Sequence, residues 1–244
     1  NDVSLKAAQQ RPGQACTLIY TSGTTGAPKA VAVSHDNITW VVRSFASTVG
    51  FGQTTDERLV SYLPLSHIAA QAIDIYANLC LVDRAVGQGQ AKVGAATVYF
   101  ARPDALKGSL KLTLCAVRPT VFFGVPRVFE KFAEALQAVG AKTTGLKKKI
   151  STWAKKVALA KYNRGRADYV SPAGFEGLFA ILSRAVQEKL ALTVLKKVHA
   201  AIGLDNCHFC FTGAAPISVA TLEYFGSLGL NVNEAIGMSE VSRP

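Results

Sequence analysis

The sequence predicts an α/β protein with mostly parallel sheets flanked by helices. Three observations lead there. Short apolar runs of four to six residues alternate with longer amphipathic stretches along the chain. Gly and Pro punctuate the joins, at 12–13, 64, 124–126 and 213–216. A Gly/Ser/Thr/Lys-rich loop directly follows the first apolar run, as in folds that hold an anion beyond a strand end.

Residues 1–14 are polar and carry Pro12-Gly13, and are expected to be a lead-in. Ala-Cys-Thr-Leu-Ile-Tyr at 15–20 reads as a short buried strand. A loop at 21–30 and a strand at 30–34 (Ala-Val-Ala-Val-Ser) complete a hairpin-like clamp. Ser34 or Asp36 is suited to cap a helix over 37–49. A strand follows at 59–63, ended by Pro64, and then a helix over 67–81. The stretch 83–93 (Asp-Arg-Ala-Val-Gly-Gln-Gly-Gln-Ala-Lys-Val) fits neither pattern and reads as an insertion or a gene-prediction error. Further strands are expected at 95–100, 120–124, 208–212 and 230–235. Helices are expected at 106–117, 127–139, 145–162, 175–202 and 218–228. No internal repeat or low-complexity tract occurs.

The loop is Tyr20-Thr-Ser-Gly-Thr-Thr-Gly-Ala-Pro-Lys29. Gly23 and Gly26 allow the backbone close to a bulky anion. Thr21, Ser22, Thr24 and Thr25 offer hydroxyl donors, and Lys29 a mobile point charge. Lys29 is not followed by Ser or Thr, so this is not the G-x-x-x-x-G-K-[ST] loop, nor is it the G-x-G-x-x-G dinucleotide fingerprint. The residues alone leave open a triphosphate cradle or a solvated polar loop.

This string resembles the phosphate-binding signature of the adenylate-forming superfamily, which includes acyl-CoA synthetases, peptide-synthetase adenylation domains and firefly luciferase. Ala30 replaces the glycine usual after the lysine. Three later segments resemble the family's motifs in the family's order: Ser61-Tyr-Leu-Pro-Leu-Ser-His-Ile68, Thr212-Gly-Ala-Ala-Pro-Ile217 and Glu234-Ala-Ile-Gly-Met-Ser-Glu240. Ser34-His-Asp-Asn-Ile-Thr-Trp40, Arg118-Pro-Thr-Val-Phe-Phe-Gly-Val-Pro-Arg-Val-Phe-Glu-Lys131 and Phe209-Cys-Phe-Thr-Gly-Ala-Ala-Pro-Ile-Ser218 are most similar to long-chain acyl-CoA synthetases of the bubblegum type.

The resemblance implies part of the large N-terminal domain of the acyl-CoA synthetase fold over 1–244, without the small C-terminal domain. It implies ATP-dependent activation of a long- or very-long-chain fatty acid to acyl-CoA through an acyl-adenylate, with ATP, Mg2+ and coenzyme A taking part. Catalytic roles fall on Lys29, His67 and Glu240, with Glu240 and Thr21 at the metal. Gly213, Ala214, Ala215 and Pro216 lie along the adenine. Ile236 stands where the related enzymes place a stacking tyrosine, and Gly237 and Ser239 close the AMP site. The family's ribose carboxylate, hinge and C-terminal lysine lie beyond the last motif here, so the chain is expected to be a fragment inactive by itself. Ser242-Arg-Pro244 also departs from the usual Ser-Gly-Pro. Two other readings stay open: a non-catalytic nucleotide- or lipid-binding fragment, and an adenylating enzyme with another acceptor.

Composition bounds the rest. At 244 residues and 49% hydrophobic content the chain can build a sizeable core. It shows no secretory leader and no run of ~18 apolar residues. Five cysteines form no framework, and Cys207-His-Phe-Cys210 lacks the second pair of a zinc site. A cytoplasmic location is therefore expected, with peripheral attachment to an intracellular membrane as an addition. The net charge is +11, and residues 142–166 carry nine Lys or Arg and no acid. Leu146, Ile150, Trp153 and Val157 recur at helical spacing there. That stripe either packs on its own domain or contacts an anionic membrane. The first is preferred, because four apolar residues hold a membrane weakly. No motif accompanies the charge to suggest nucleic acid.

Overall fold

A computed structural model describes residues 2–21, 27–52, 56–79, 95–166 and 178–241. The expected insertion at 83–93 and residues 22–26 lie outside these. Two compact units emerge: residues 1–101 with 237–244, and residues 102–236.

In the first unit, the polar lead-in contains a helix, α1 (Asp2–Gln9), with no buried residue. Strands β1 (Ala15–Thr21) and β2 (Lys29–Ser34) pair antiparallel, forming the expected hairpin, but β1 is not the buried strand expected: only Ile19 of it is buried. Helix α2 (His35–Val49) starts at Ser34, not Asp36. The Asn37 amide donates to Ser34 Oγ at 3.2 Å, and the Ser34 amide returns a bond to Asn37 Oδ1 at 3.2 Å. This reciprocal capping satisfies two otherwise orphaned donors. The helix buries Ile38, Val42, Ala46 and Val49, one stripe at helical spacing.

Strand β3 spans Asp56–Ser61, earlier than the 59–63 expected. The difference lies in Glu57, whose acidic side chain is wholly buried and accepts a hydrogen bond from the Gly52 amide at 3.3 Å. It pairs parallel with β4 (Ala95–Phe100). The helix expected over 67–81 begins as α3 (Ile68–Gln71) and continues as a π turn over Ala72–Tyr76.

The second unit is built on a parallel three-stranded sheet in the order β5 (Val121–Gly124), β6 (Phe209–Thr212), β7 (Val232–Glu234). Helix α4 (Leu110–Val117) follows a single 3-10 turn at Ala105–Lys107. Then come α5 (Pro126–Ala141), α6 (Gly145–Arg164), α7 (Leu178–Ala201) and α8 (Val219–Ser227). Phe122, Phe129 and Phe225 fill the core edge to face, at centroid distances of 5.9 and 5.3 Å. The β3–β4 pair and the three-stranded sheet are parallel, as expected of an α/β chain, and only the β1–β2 pair among the described strands is antiparallel.

The preferred reading of α6 is overturned. Its packing side is Ala154 and Ala158, both buried, and not the large apolar stripe. Leu146, Ile150 and Trp153 are 72%, 42% and 39% exposed, and only Val157 of the four is half-buried. Small residues four apart let α6 approach its neighbours closely, which a count of large apolar positions misses. No described helix is long and apolar enough to cross a membrane.

Candidate nucleotide and acyl site

The expected site residues fall into both units. In the first, Thr21 and Lys29 are cross-strand partners at the last rung of the β1–β2 hairpin. Thr21 and Lys29 therefore stand side by side where the strands end, with Lys29 exposed. Thr21 Oγ1 lies 3.5 Å from the Lys29 carbonyl, a contact too long to hold the hydroxyl firmly. Ser22, Gly23, Thr24, Thr25 and Gly26 lie outside the described residues.

His67 caps α3. The Ala69 amide donates to its Nδ1 at 3.2 Å. That bond makes Nδ1 the acceptor, so in the neutral ring Nε2 carries the hydrogen and is free to donate. The ring is exposed. Downstream, Met238 and Val241 form a bridge, with the Val241 amide donating to the Met238 carbonyl at 3.2 Å. The turn places Ser239 and Glu240 at its tip, and Gly237 just before it has open space around its Cα. Glu240 is exposed. Among the described residues no hydrogen bond or ion pair joins Lys29, His67 and Glu240 to one another, and no group of three or more His, Cys, Asp or Glu is placed to hold a metal.

In the second unit the sheet's carboxyl edge brings two segments together. The Ala235 amide donates to the Thr212 carbonyl at 2.8 Å, extending the β6–β7 pairing past the strand ends. A Cβ on Gly213 would stand 2.9 Å from the Ala235 carbonyl oxygen, so only glycine fits there. Ala214 then takes φ 71°, a left-handed conformation that costs an alanine roughly 1 kcal/mol. Ala214, Ala215 and Pro216 are exposed, anchored from below by buried Ile217. Ile236 is 102% exposed. Small exposed residues from one strand end and a bare isoleucine from its neighbour make a shelf for a flat apolar ring. It lies outside the carboxyl ends of parallel strands, where open α/β sheets bind ligands.

Three features were not singled out in the sequence. Thr212 is buried next to the shelf, yet its hydroxyl has no hydrogen-bond partner among the described residues. Ala214 carries no signal of a left-handed residue, as Gly or Asn would. Asp74 sits in the π turn, where burial pushes its carboxyl up to about 6 from 3.8, against the pull of a hydrogen bond with Ser61. Single π turns recur at functional sites, and an i,i+5 turn leaves no trace in hydrophobic spacing.

Asp74 sets a pH dependence. A carboxyl raised in the fold contributes stability that is present below about 3.8 and lost as pH rises through about 6. Asp74→Asn is therefore expected to stabilise the chain by about 1–2 kcal/mol at pH 8, and to change nothing at pH 3.5. Urea midpoints at the two pH values check this; a gain independent of pH would place the cause elsewhere.

A family model described as AMP-binding enzyme matches residues 2–243. The chain is 51% identical over 239 residues to the long-chain-fatty-acid–CoA ligase ACSBG2 of Xenopus laevis, covering 97% of this chain and 29% of that protein. It is 43% identical to human ACSBG2, over 96% of this chain and 32% of that one, and 39% identical to the human long-chain-fatty-acid–CoA ligase ACSBG1. The chain thus spans under a third of the length of these relatives. Among solved structures, ATP-bound MatB from Rhodopseudomonas palustris matches with TM-score 0.53 at 20% identity, over 95% of this chain and 30% of that chain. The adenylation domain of a carboxylate reductase from Mycobacterium chelonae matches with TM-score 0.51 at 18% identity, over 94% and 27%. Likeness at such identity shows the fold alone.

Proposed function

The chain belongs to the AMP-binding enzyme family, and from that premise we propose that it is the nucleotide-holding part of an ATP-dependent fatty acid–CoA ligase acting on long- or very-long-chain acids. The observation that carries the proposal is the strand-end shelf, where Gly213 closes on the Ala235 carbonyl and leaves the left-handed Ala214 and the bare Ile236 exposed at neighbouring strand ends.

The reaction has two displacements. A fatty carboxylate oxygen bonds to the α-phosphorus of ATP as the bond to pyrophosphate breaks. The coenzyme A thiolate then bonds to the acyl carbon as the bond to AMP breaks. The first step joins two anions, so it depends on fixed donors and positive charge around the phosphates. Lys29 supplies the charge at the mouth of the hairpin, and Thr21, Ser22, Thr24 and Thr25 the hydroxyls. Gly23 and Gly26 let backbone amides approach. The adenine rests on Gly213, Ala214, Ala215 and Pro216, with Ile236 against its face. Ser239 donates to the α-phosphate, beside Gly237. His67 Nε2–H is the donor to the acyl carbonyl oxygen.

Glu240 is an exposed carboxylate with no ion-pair partner among the described residues, and hard oxygen ligands suit magnesium. Glu240 would hold Mg2+ with the phosphates, Thr21 standing by, and the ion would neutralise phosphoryl charge.

The test is formation of AMP and acyl-CoA by the full-length gene product, given ATP, coenzyme A and either palmitate or a much longer acid. Both products are expected. No adenylate from any fatty acid would overturn the proposal. Ile236→Tyr restores an aromatic face and is expected to tighten AMP binding by roughly fivefold, as an added aromatic contact of ~1 kcal/mol does. Calorimetric titration with AMP checks it; unchanged or weaker binding would remove Ile236 from the adenine.

A further inference from the structure

Helix α6 is divided along its length. From Ala154 onward it is embedded: Ala154 and Ala158 are buried, and Lys155 lies over the Tyr224 ring at 5.3 Å. Lys161 and Arg164 pair with Glu188, and Arg166, just past the helix, pairs with Glu223. The first half is different. Every residue from 144 to 150 is exposed. Leu146, Ile150 and Trp153 line one face at spacings of four and three, all facing solvent. Val139, near the end of α5, is also 68% exposed.

The charges divide the same way. Lys142, Lys147, Lys148, Lys149 and the exposed Lys156 form no ion pair among the described residues, whereas Lys161, Arg164 and Arg166 do. No acid occurs anywhere between Glu134 and Asp168. At about 100° per residue, Lys149 and Lys156 flank the apolar stripe on the side away from Ala154 and Ala158.

We propose that the first half of α6 docks on a bilayer surface rich in anionic phospholipid. A solvated helix has no use for Leu, Ile and Trp on its open face. Nucleic acid would use the lysines but not the stripe. A bilayer uses both: the stripe enters the headgroup boundary and the lysines extend along it to the phosphates. Each lysine near an anionic surface adds attraction that salt weakens. This proposal is independent of the ligase reading, because docking needs neither ATP nor turnover.

The test uses the whole 244-residue chain in a Trp40→Phe background, so that Trp153 is the sole reporter. It is mixed with sedimenting vesicles of phosphatidylcholine, with and without phosphatidylserine. Binding is expected only with phosphatidylserine, released by high salt and accompanied by a blue shift of Trp153 emission. The triple variant K147Q/K148Q/K149Q is expected to bind at least roughly tenfold more weakly. Leu146→Ser with Ile150→Ser is expected to lose the blue shift. All these positions are exposed, and circular dichroism confirms that each variant keeps its helix. The proposal is overturned by absence of vesicle binding at low salt, or by equal binding of the triple variant. It is equally overturned if Trp153 shifts blue with protein concentration and no vesicles, which would assign the stripe to a second copy. Salt-sensitive binding to duplex DNA in place of vesicles would do the same.

Discussion

Lys29→Ala in the full-length gene product is expected to slow acyl-adenylate formation by roughly 10²–10³-fold, the range for removing one preorganised donor from developing charge. Thioesterification of supplied acyl-adenylate should change much less. The asymmetry follows from where the charge is held. Lys29 is registered opposite Thr21, so its Cα is fixed where the two strands end, while its side chain is exposed and has no ion-pair partner among the described residues. On the proposed function a charge there meets the β- and γ-phosphates, which the acyl-adenylate no longer carries. Lys29→Arg should recover only part of the rate, since a planar fork does not replace a compact ammonium on a flexible four-carbon stem. Circular dichroism should show no loss of fold, because the lysine buries nothing. Single-turnover measurement of each half-reaction checks the prediction. Equal slowing of both halves would assign Lys29 to acyl or coenzyme A binding instead.

The sequence was most legible where the determinants are local. The β1–β2 hairpin is written as a strand, a glycine-rich loop and a strand within twenty residues, and Ser34 with Asn37 makes a complete cap within four. Long-range burial was not legible. Nothing in the sequence marks Glu57 for burial with the Gly52 amide as its donor, and β3 starts three residues earlier than the apolar run alone indicates. In α6 the period gave the stripe and its lysines correctly, but which side packs depends on neighbours that no period encodes. At the shelf the motif 212–217 marks the place. Its physical character, a left-handed Ala214 near a Thr212 hydroxyl that has no partner among the described residues, comes only from the crossing of two strand ends.

The largest stability effect is expected at Gly203. It ends α7 in a Schellman arrangement, the Leu204 amide donating to the His199 carbonyl at 3.0 Å and the Gly203 amide to Ala200 at 3.1 Å. Its φ is +73°, which alone costs an alanine roughly 1 kcal/mol. The greater cost is contact. A Cβ there would stand 2.2 Å from the Leu114 carbonyl carbon and 2.4 Å from the Cys115 nitrogen. These are backbone atoms inside α4, which cannot turn aside as a side chain would. Gly203→Ala must therefore lift the end of α7 off α4, and Leu204, buried in the same turn, goes with it. A loss of about 3–5 kcal/mol is expected, the range of severe core disruption. The damage should not stop at the helix. The chain runs from Gly203 through Asp205, paired with Arg118, and His208, whose amide donates to the Thr120 carbonyl at 2.8 Å, directly into β6. Displacing that connection shifts β6 against β5 and moves the shelf at its far end. AMP affinity should therefore fall with stability, whereas Ile236→Tyr alters affinity alone. Urea denaturation with AMP titration of the same variant checks both. A folded Gly203→Ala chain of unchanged midpoint would show that α7 and α4 do not meet at this point.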